Sequence, residues 1–204
     1  MKYYNLSENI IACDNFLPQQ QVEELYSDIL NNRKMFQVPT WGVEEPTKQL
    51  FSSACGGLDF WLDNKTNKNN DSFIESLHKW FVHQGLFYYT DKNAPPVFEF
   101  LKRNLTWNIH VIGYNNGGYY NWHKDSPNKN IFTFNLILNK SNNLKGGDML
   151  FYDNKSIEVK NKNNFMVVFP SYIAHAITPL YSNNKQDVSF LEQRFSIQFW
   201  ISLQ

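Results

Sequence analysis

Cysteine is scarce in this chain: Cys13 and Cys55 are the two among 204 residues, far apart and in no CxxC pair. They read as two reduced thiols of a cytosolic protein rather than as a disulfide framework. An excess of charge of one sign is lacking too, because 19 basic residues balance 19 acidic ones. Strong non-specific nucleic-acid binding usually needs a basic surplus to neutralise phosphates, so none is expected. No apolar stretch approaches the roughly 18 residues needed to span a bilayer. The opening MKYYNLSENIIACDNFLPQQQ also lacks the continuous apolar run of a signal peptide. A cytoplasmic protein without membrane association is expected. Internal repeats are absent, and the polar NKTNKNN at 64–70 is a surface loop too short to link domains.

What is abundant points to a packed core. Hydrophobic residues make up 42% of the chain and aromatic residues 17%, a composition that disordered chains do not have. The length suits one domain with a well-buried interior. We expect a single domain over 1–204, with 1–104 supplying helical and loop support and 105–204 a β core.

The first half reads as mixed. Residues 9–13 suit a short apolar strand. Asp14 or Asn15 then precedes a helix over 19–30, with Val22, Leu25, Ile29 and Leu30 on one face and Pro18 in its first turn. A second helix is expected over 72–83, with Phe73, Leu77, Trp80 and Phe81 buried, and a short one over 97–103. Between the long helices, 35–62 reads as loops with short strands. From 105 onward, β-type runs alternate with polar turns: 105–114, 119–123, 131–139, 148–152, 156–159, 164–169, 175–181 and 193–202. Eight closely spaced short strands indicate an antiparallel sandwich or barrel padded by the helices on one outer face. The fold class is therefore mainly β with N-terminal helices, a jelly-roll (double-stranded β-helix) core.

Side chains alternate along a strand. In the last run, Phe195, Ile197, Phe199 and Ile201 share an apolar face that suits the supporting helices. Arg194, Ser196, Gln198 and Trp200 share the other, which faces either water or a cavity holding an anion. His123 and Asp125, two apart at the end of a strand, project to the same side, and His175 starts another strand. Two imidazoles and one carboxylate make the facial triad of non-haem iron sites, which leaves open positions for a chelating co-substrate and dioxygen.

The surroundings of these residues carry a resemblance. Tyr114, Gly117, Tyr120, His123 and Asp125 form YxxGxxYxxHxD. Leu138-Asn139, the run GGDMLF at 146–151, then Pro170, His175, Pro179 and RFSIQFW at 194–200 follow in order. In this spacing the chain resembles the prolyl-4-hydroxylase-like branch of the Fe(II)/2-oxoglutarate-dependent oxygenases, densely over 105–204 and sketchily over 9–30. The resemblance implies that His123, Asp125 and His175 bind Fe(II), and that Arg194 pairs with the distal carboxylate of 2-oxoglutarate. Ser196 and Tyr114 are further contacts to that carboxylate, Asn135 is a candidate by its inward parity, and Trp200 walls the cavity. One departure is the spacing of Arg194, 19 residues beyond His175. Lys185 falls at the commoner distance of about ten but sits in a turn-like SNNKQD. The implied chemistry converts 2-oxoglutarate and O2 to succinate while hydroxylating an unactivated C–H, with ascorbate as a supporting reductant. Related halogenases replace the ligand carboxylate with a small residue, so Asp125 favours hydroxylation. A peptidyl substrate, prolyl or other, is preferred by analogy. A small molecule or free amino acid is the alternative, and the lids are 35–62 and 181–193, where Trp41 and Trp61 are candidate contacts or core aromatics.

Other signals are weaker. His78 and His83 are five apart and share no helical face. His110 reads as a hydrogen-bonded core or surface imidazole. The pairs Gly117-Gly118 and Gly146-Gly147 open no helix and read as turns. No GxSxG element supports hydrolysis. A non-catalytic jelly-roll binding module and a cupin-like Mn or Ni protein stand as alternatives, the latter usually carrying additional His ligands and no anion-binding Arg. Oligomeric state is not legible.

Overall fold

Alternation in RFSIQFWISL gives the last strand one apolar and one polar face, and the computed structural model is organised around that strand. It describes residues 2–36, 57–63, 105–125, 130–141, 143–183 and 189–203. Among them run β1 (Lys2–Asn5), β2 (Ile11–Asp14), helix α1 (Gln19–Asn31), β3 (Gly57–Asp63), β4 (Leu105–Tyr114), β5 (Tyr120–His123) and β6 (Asn130–Asn139). There follow β7 (Leu144–Gly146), β8 (Met149–Asp153), β9 (Lys155–Val159), β10 (Phe165–Pro170), β11 (Ala174–Ile177), β12 (Leu180–Ser182) and β13 (Arg194–Leu203).

Two main sheets result. The larger has the order β1-β2-β10-β6-β13-β4-β3, the smaller β5-β11-β8-β9, and β12 pairs with β7 alone. All pairings are antiparallel. This is the jelly roll expected from the spacing of the β runs.

The two faces of β13 separate two cores. Phe195, Ile197, Phe199 and Ile201 pack in the cluster that also holds Val22, Leu25, Tyr26 and Ile29 of α1. Burying side chains of this size contributes about 1.5–3 kcal/mol each, so the helix is held by its stripe rather than by propensity. The opposite face looks into the barrel, where Ile112, Ile137, Met149, Phe151, Val167 and Phe169 form a second apolar cluster.

The helical stripe differs from expectation at one position. Leu30 is 43% exposed, and Tyr26 is buried instead. Positions 22, 25, 26 and 29 follow the i, i+3, i+4, i+7 rule, whereas 30 is rotated about 100° past Ile29. Pro18 is the N-cap, with extended backbone at ψ 145°, rather than a first-turn residue. Asn164 ties the helix entry to the sheet, accepting from the Leu17 N–H at 2.9 Å and donating to its carbonyl at 2.7 Å.

The run 175–181 is two strands, not one. β11 pairs with β5 and β8, whereas β12 pairs with β7. Pro179 stands between them with no N–H to continue a ladder. Part of the 35–62 region, 57–63, is a full edge strand against β4. Strands β1 and β7 add to those expected from the sequence. The expected helices at 72–83 and 97–103 and the loop at 64–70 lie outside the described residues. Among the described residues, no helix is long and apolar enough to cross a membrane.

Candidate metal centre

The smaller sheet assembles the centre. His175 on β11 is the direct register partner of His123 on β5, and their ring centroids are 4.1 Å apart. The next pair, Ile177 with Tyr120, is out of step by one residue on β5. A bulge of this kind re-aims the side chains beside it. Asp125 lies just beyond β5, where its N–H donates to the Ser171 carbonyl at 3.1 Å. Its carboxylate thereby reaches both rings, with Oδ1 3.5 Å from His123 Nε2 and Oδ2 3.6 Å from His175 Nε2. One ligand atom from each of the three residues lies within 4.8 Å of the others.

The protons on the two rings are placed by the backbone. Nδ1 of His123 is 2.8 Å from the Asn121 carbonyl, and Nδ1 of His175 is 3.0 Å from the Ile173 carbonyl. A carbonyl only accepts, so each Nδ1 carries a hydrogen, and in the neutral ring Nε2 then presents the lone pair. Both Nε2 atoms are buried without a hydrogen-bond partner among the described residues. Burial pushes His175 down to about 4, against the partial pull of Asp125, so at neutral pH this ring is uncharged. A neutral imidazole turns its lone pair toward a carboxylate here, which is repulsive unless a cation sits between them. For Asp125 burial acts upward, but the neighbouring His123 and His175 rings and the Thr133 hydroxyl that donates to it outweigh it, holding the carboxyl below its ordinary range. The donor set therefore fits a divalent cation taking two imidazoles and a carboxylate.

The larger sheet supplies a second feature facing the same interior. Arg194 is fully buried. Its Nη1 donates to Ser196 Oγ at 2.7 Å, and its guanidinium carbon lies 5.1 Å from the centroid of the Tyr114 ring, its register neighbour on β4. Its Nε and Nη2 have no hydrogen-bond partner among the described residues. Burial draws its pKa down to about 10, partly offset by Tyr114 and Asp148, which leaves it cationic at neutral pH. A buried cation with two open donors is costly unless an anion completes it, and the planar fork matches a carboxylate. Gly147, at φ +69°, makes room for this side chain: a Cβ there would lie 2.9 Å from Arg194 Cδ and 2.7 Å from Leu180 Cδ1. Asn135 is buried on the same interior face, its Nδ2 3.6 Å from Met149 Sδ and its Oδ1 unpartnered.

Residues 109–202 match the sequence profile of the 2OG-Fe(II) oxygenase superfamily, a stretch that begins in β4, ends in β13 and contains the whole site. This stretch belongs to that superfamily. The oxygenase is accordingly an oxidoreductase of a family that takes Fe(II), 2-oxoglutarate and O2. The likeness in fold extends further along the chain. A prolyl-4-hydroxylase from Pseudomonas putida aligns over 96% of this chain and 93% of its own, with TM-score 0.59 and 17% identity. A prolyl hydroxylase from Trichoplax adhaerens, in complex with a hypoxia inducible factor oxygen degradation domain peptide fragment, aligns over 96% of this chain and 84% of its own, with TM-score 0.66 and 17% identity. A 2OG-Fe(II) oxygenase family oxidoreductase from Burkholderia pseudomallei aligns over 95% and 84%, with TM-score 0.58 and 10% identity. No curated protein sequence matches the chain.

Of the residues singled out from the sequence, the structure gathers His123, Asp125 and His175 at one point and Arg194, Ser196 and Tyr114 at another. Lys185, Cys55, Trp41, His78 and His83 lie outside the described residues, and the side chain of Trp61 does as well. His110 is buried beside Trp200, with ring centroids 5.5 Å apart. Sequence reasoning passed over Thr133 and Ser171. Thr133 shares the inward parity of Asn135, and that signal was available; the position of Ser171 depends on a turn that periodicity does not describe.

Proposed function

We propose that this oxygenase hydroxylates an unactivated C–H bond of a peptidyl residue, prolyl foremost, with iron held by His123, Asp125 and His175. The observation that carries the reading is the fully buried Arg194 guanidinium with two open donors, facing the same barrel interior as the two unpartnered imidazole nitrogens. A metal alone would not call for the buried cation, whereas a keto acid that also carries a distal carboxylate would.

Each residue has a task in this reading. His123 and His175 present Nε2 lone pairs already aimed by their backbone partners, and Asp125 supplies the negative charge. Arg194 takes the distal carboxylate through Nε and Nη2. Ser196 Oγ accepts from Arg194 and so keeps its own hydrogen to donate to that carboxylate. Tyr114 and Asn135 complete the interior wall on that side. Phe169 and Phe151 pack against His175, at 4.7 and 6.0 Å between ring centroids, and exclude water from its side of the centre. The chemistry supplied when iron, 2-oxoglutarate and O2 are bound is oxidative decarboxylation of the keto acid coupled to hydroxylation. Asp125 would take the place at iron that a halide needs, which supports hydroxylation over halogenation.

The peptidyl preference is supported by the peptide fragment bound to the Trichoplax adhaerens prolyl hydroxylase. Anaerobic addition of Fe(II) and 2-oxoglutarate to the purified protein is expected to give a weak visible charge-transfer band. Folded protein without that band would count against the reading. A screen of peptides and free amino acids with ascorbate present, read by mass gain of one oxygen, then separates peptidyl from small-molecule substrates.

A further inference from the structure

The Asp125 carboxylate is engaged unevenly. Oδ2 accepts from Thr133 Oγ1 at 2.5 Å and from the Trp200 indole Nε1 at 3.1 Å. Thr133 has a single hydroxyl hydrogen. Because it goes to Asp125, the contact of 3.1 Å between Thr133 Oγ1 and Ser171 Oγ must carry the Ser171 hydrogen toward Thr133. A directed chain from Ser171 through Thr133 therefore ends on Oδ2, joined there by the indole. Ser171 also holds the backbone of the same residue, since its carbonyl accepts from the Asp125 N–H. Thr133 and Trp200 sit opposite each other on β6 and β13, so two central strands of the larger sheet grip a carboxylate that belongs to the edge of the smaller one.

We infer that Trp200, Thr133 and Ser171 are positioning residues that occupy Oδ2 and present Oδ1 alone to the metal. The inference rests on the proposed iron site. Short, charge-assisted bonds fix an acceptor's orientation, and outer partners of this kind are worth about 10–100-fold in metal affinity. With both lone-pair directions of Oδ2 filled, the carboxylate offers one ligand atom, which leaves coordination positions free for a chelating co-substrate. Trp200 therefore does more than wall the cavity.

The test uses Co(II) in place of Fe(II), titrated anaerobically and followed by its d–d absorption. Trp200→Phe keeps the ring and removes the donor; Thr133→Val keeps the shape and removes the hydroxyl; Thr133→Ser restores it. Trp200→Phe and Thr133→Val are each expected to weaken Co(II) about tenfold, and Thr133→Ser to recover most of the loss. In an Asp125→Ala background, Trp200→Phe is expected to change Co(II) affinity less than about twofold, because its partner is gone. Unchanged affinity in folded Trp200→Phe, or an equal loss with and without Asp125, would overturn the inference. Should Thr133→Val not fold, the Trp200→Phe cycle decides alone. A wild-type protein that binds no Co(II) would overturn the iron site itself and this inference with it, whereas wild-type binding with indifferent variants overturns only the latter.

Discussion

Gly147 and Arg194 are in contact across the barrel interior, with the α-carbon of one placed where only a hydrogen leaves room for the Cδ of the other. The anion anchor therefore depends on a turn residue far from it in the chain, and the dependence can be measured. Gly147→Ala is expected to cost about 2–5 kcal/mol, from positive φ and overpacking together, and to raise the dissociation constant for 2-oxoglutarate. Gly117, at φ +82° with no described residue within 4 Å of where a Cβ would stand, is the control: Gly117→Ala bears the backbone cost of about 1–2 kcal/mol and leaves oxoglutarate affinity unchanged. Urea unfolding and ligand titration of both variants make the comparison, and equal behaviour would refute the contact.

Arg194→Lys keeps the charge but loses the planar fork. The expected result is a 2-oxoglutarate affinity weaker by about tenfold or more, corresponding to about 1.4 kcal/mol or more. Metal affinity without oxoglutarate is expected to stay near wild type, since Arg194 contacts none of the three ligands. Calorimetric titration of 2-oxoglutarate into the Mn(II)-loaded protein measures it, and wild-type affinity would transfer the anchoring role to another cation.

Asp125→Ala removes the one anionic ligand. Succinate formation is expected to vanish while the far-UV circular dichroism of the protein stays the same. Turnover that survives in this variant would refute the ligand assignment.

Acid stability follows from His175. Its folded value of about 4 lies below the ordinary 6.5, so the unfolded chain binds a proton that the folded one refuses. The contribution to stability is complete above about pH 6.5 and is lost as pH falls toward about 4, by roughly 3 kcal/mol in all. Chelator-treated protein, unfolded in urea at several pH values across that window, is expected to show this loss. His175→Asn is expected to flatten it. A profile equally steep in the variant would assign the effect to other groups.

The helix offers a packing test. Ile29 is buried and Leu30 is exposed. Ile29→Ala is expected to cost about 2–5 kcal/mol and Leu30→Ala less than about 0.5 kcal/mol. Thermal or urea unfolding distinguishes them.

The reading of Leu30 shows where periodicity stops. A stripe of four positions is visible in the sequence, but a helix of 13 residues can be rotated by a residue without losing its amphipathic character, and only the partner surface chooses Tyr26 over Leu30. Likewise the run 175–181 has β composition throughout, and its division into β11 and β12 depends on which strands lie alongside. The strands at 105–114 and 193–202 were legible almost to the residue because both faces of each are dictated by burial, one against α1 and one toward the interior.

By itself the sequence determined the β-rich class, the alternation that puts Arg194, Ser196 and Trp200 on one face of the last strand, and the spacing of His123, Asp125 and His175, since these depend only on local backbone geometry and residue chemistry. Tertiary structure alone decided that His123 and His175 are register partners, that Oδ2 of Asp125 is engaged from the opposite sheet, and that the Arg194 guanidinium is buried with donors to spare. Such relationships join residues distant in the chain, and their energies come from exclusion of water and from distances that no single segment specifies.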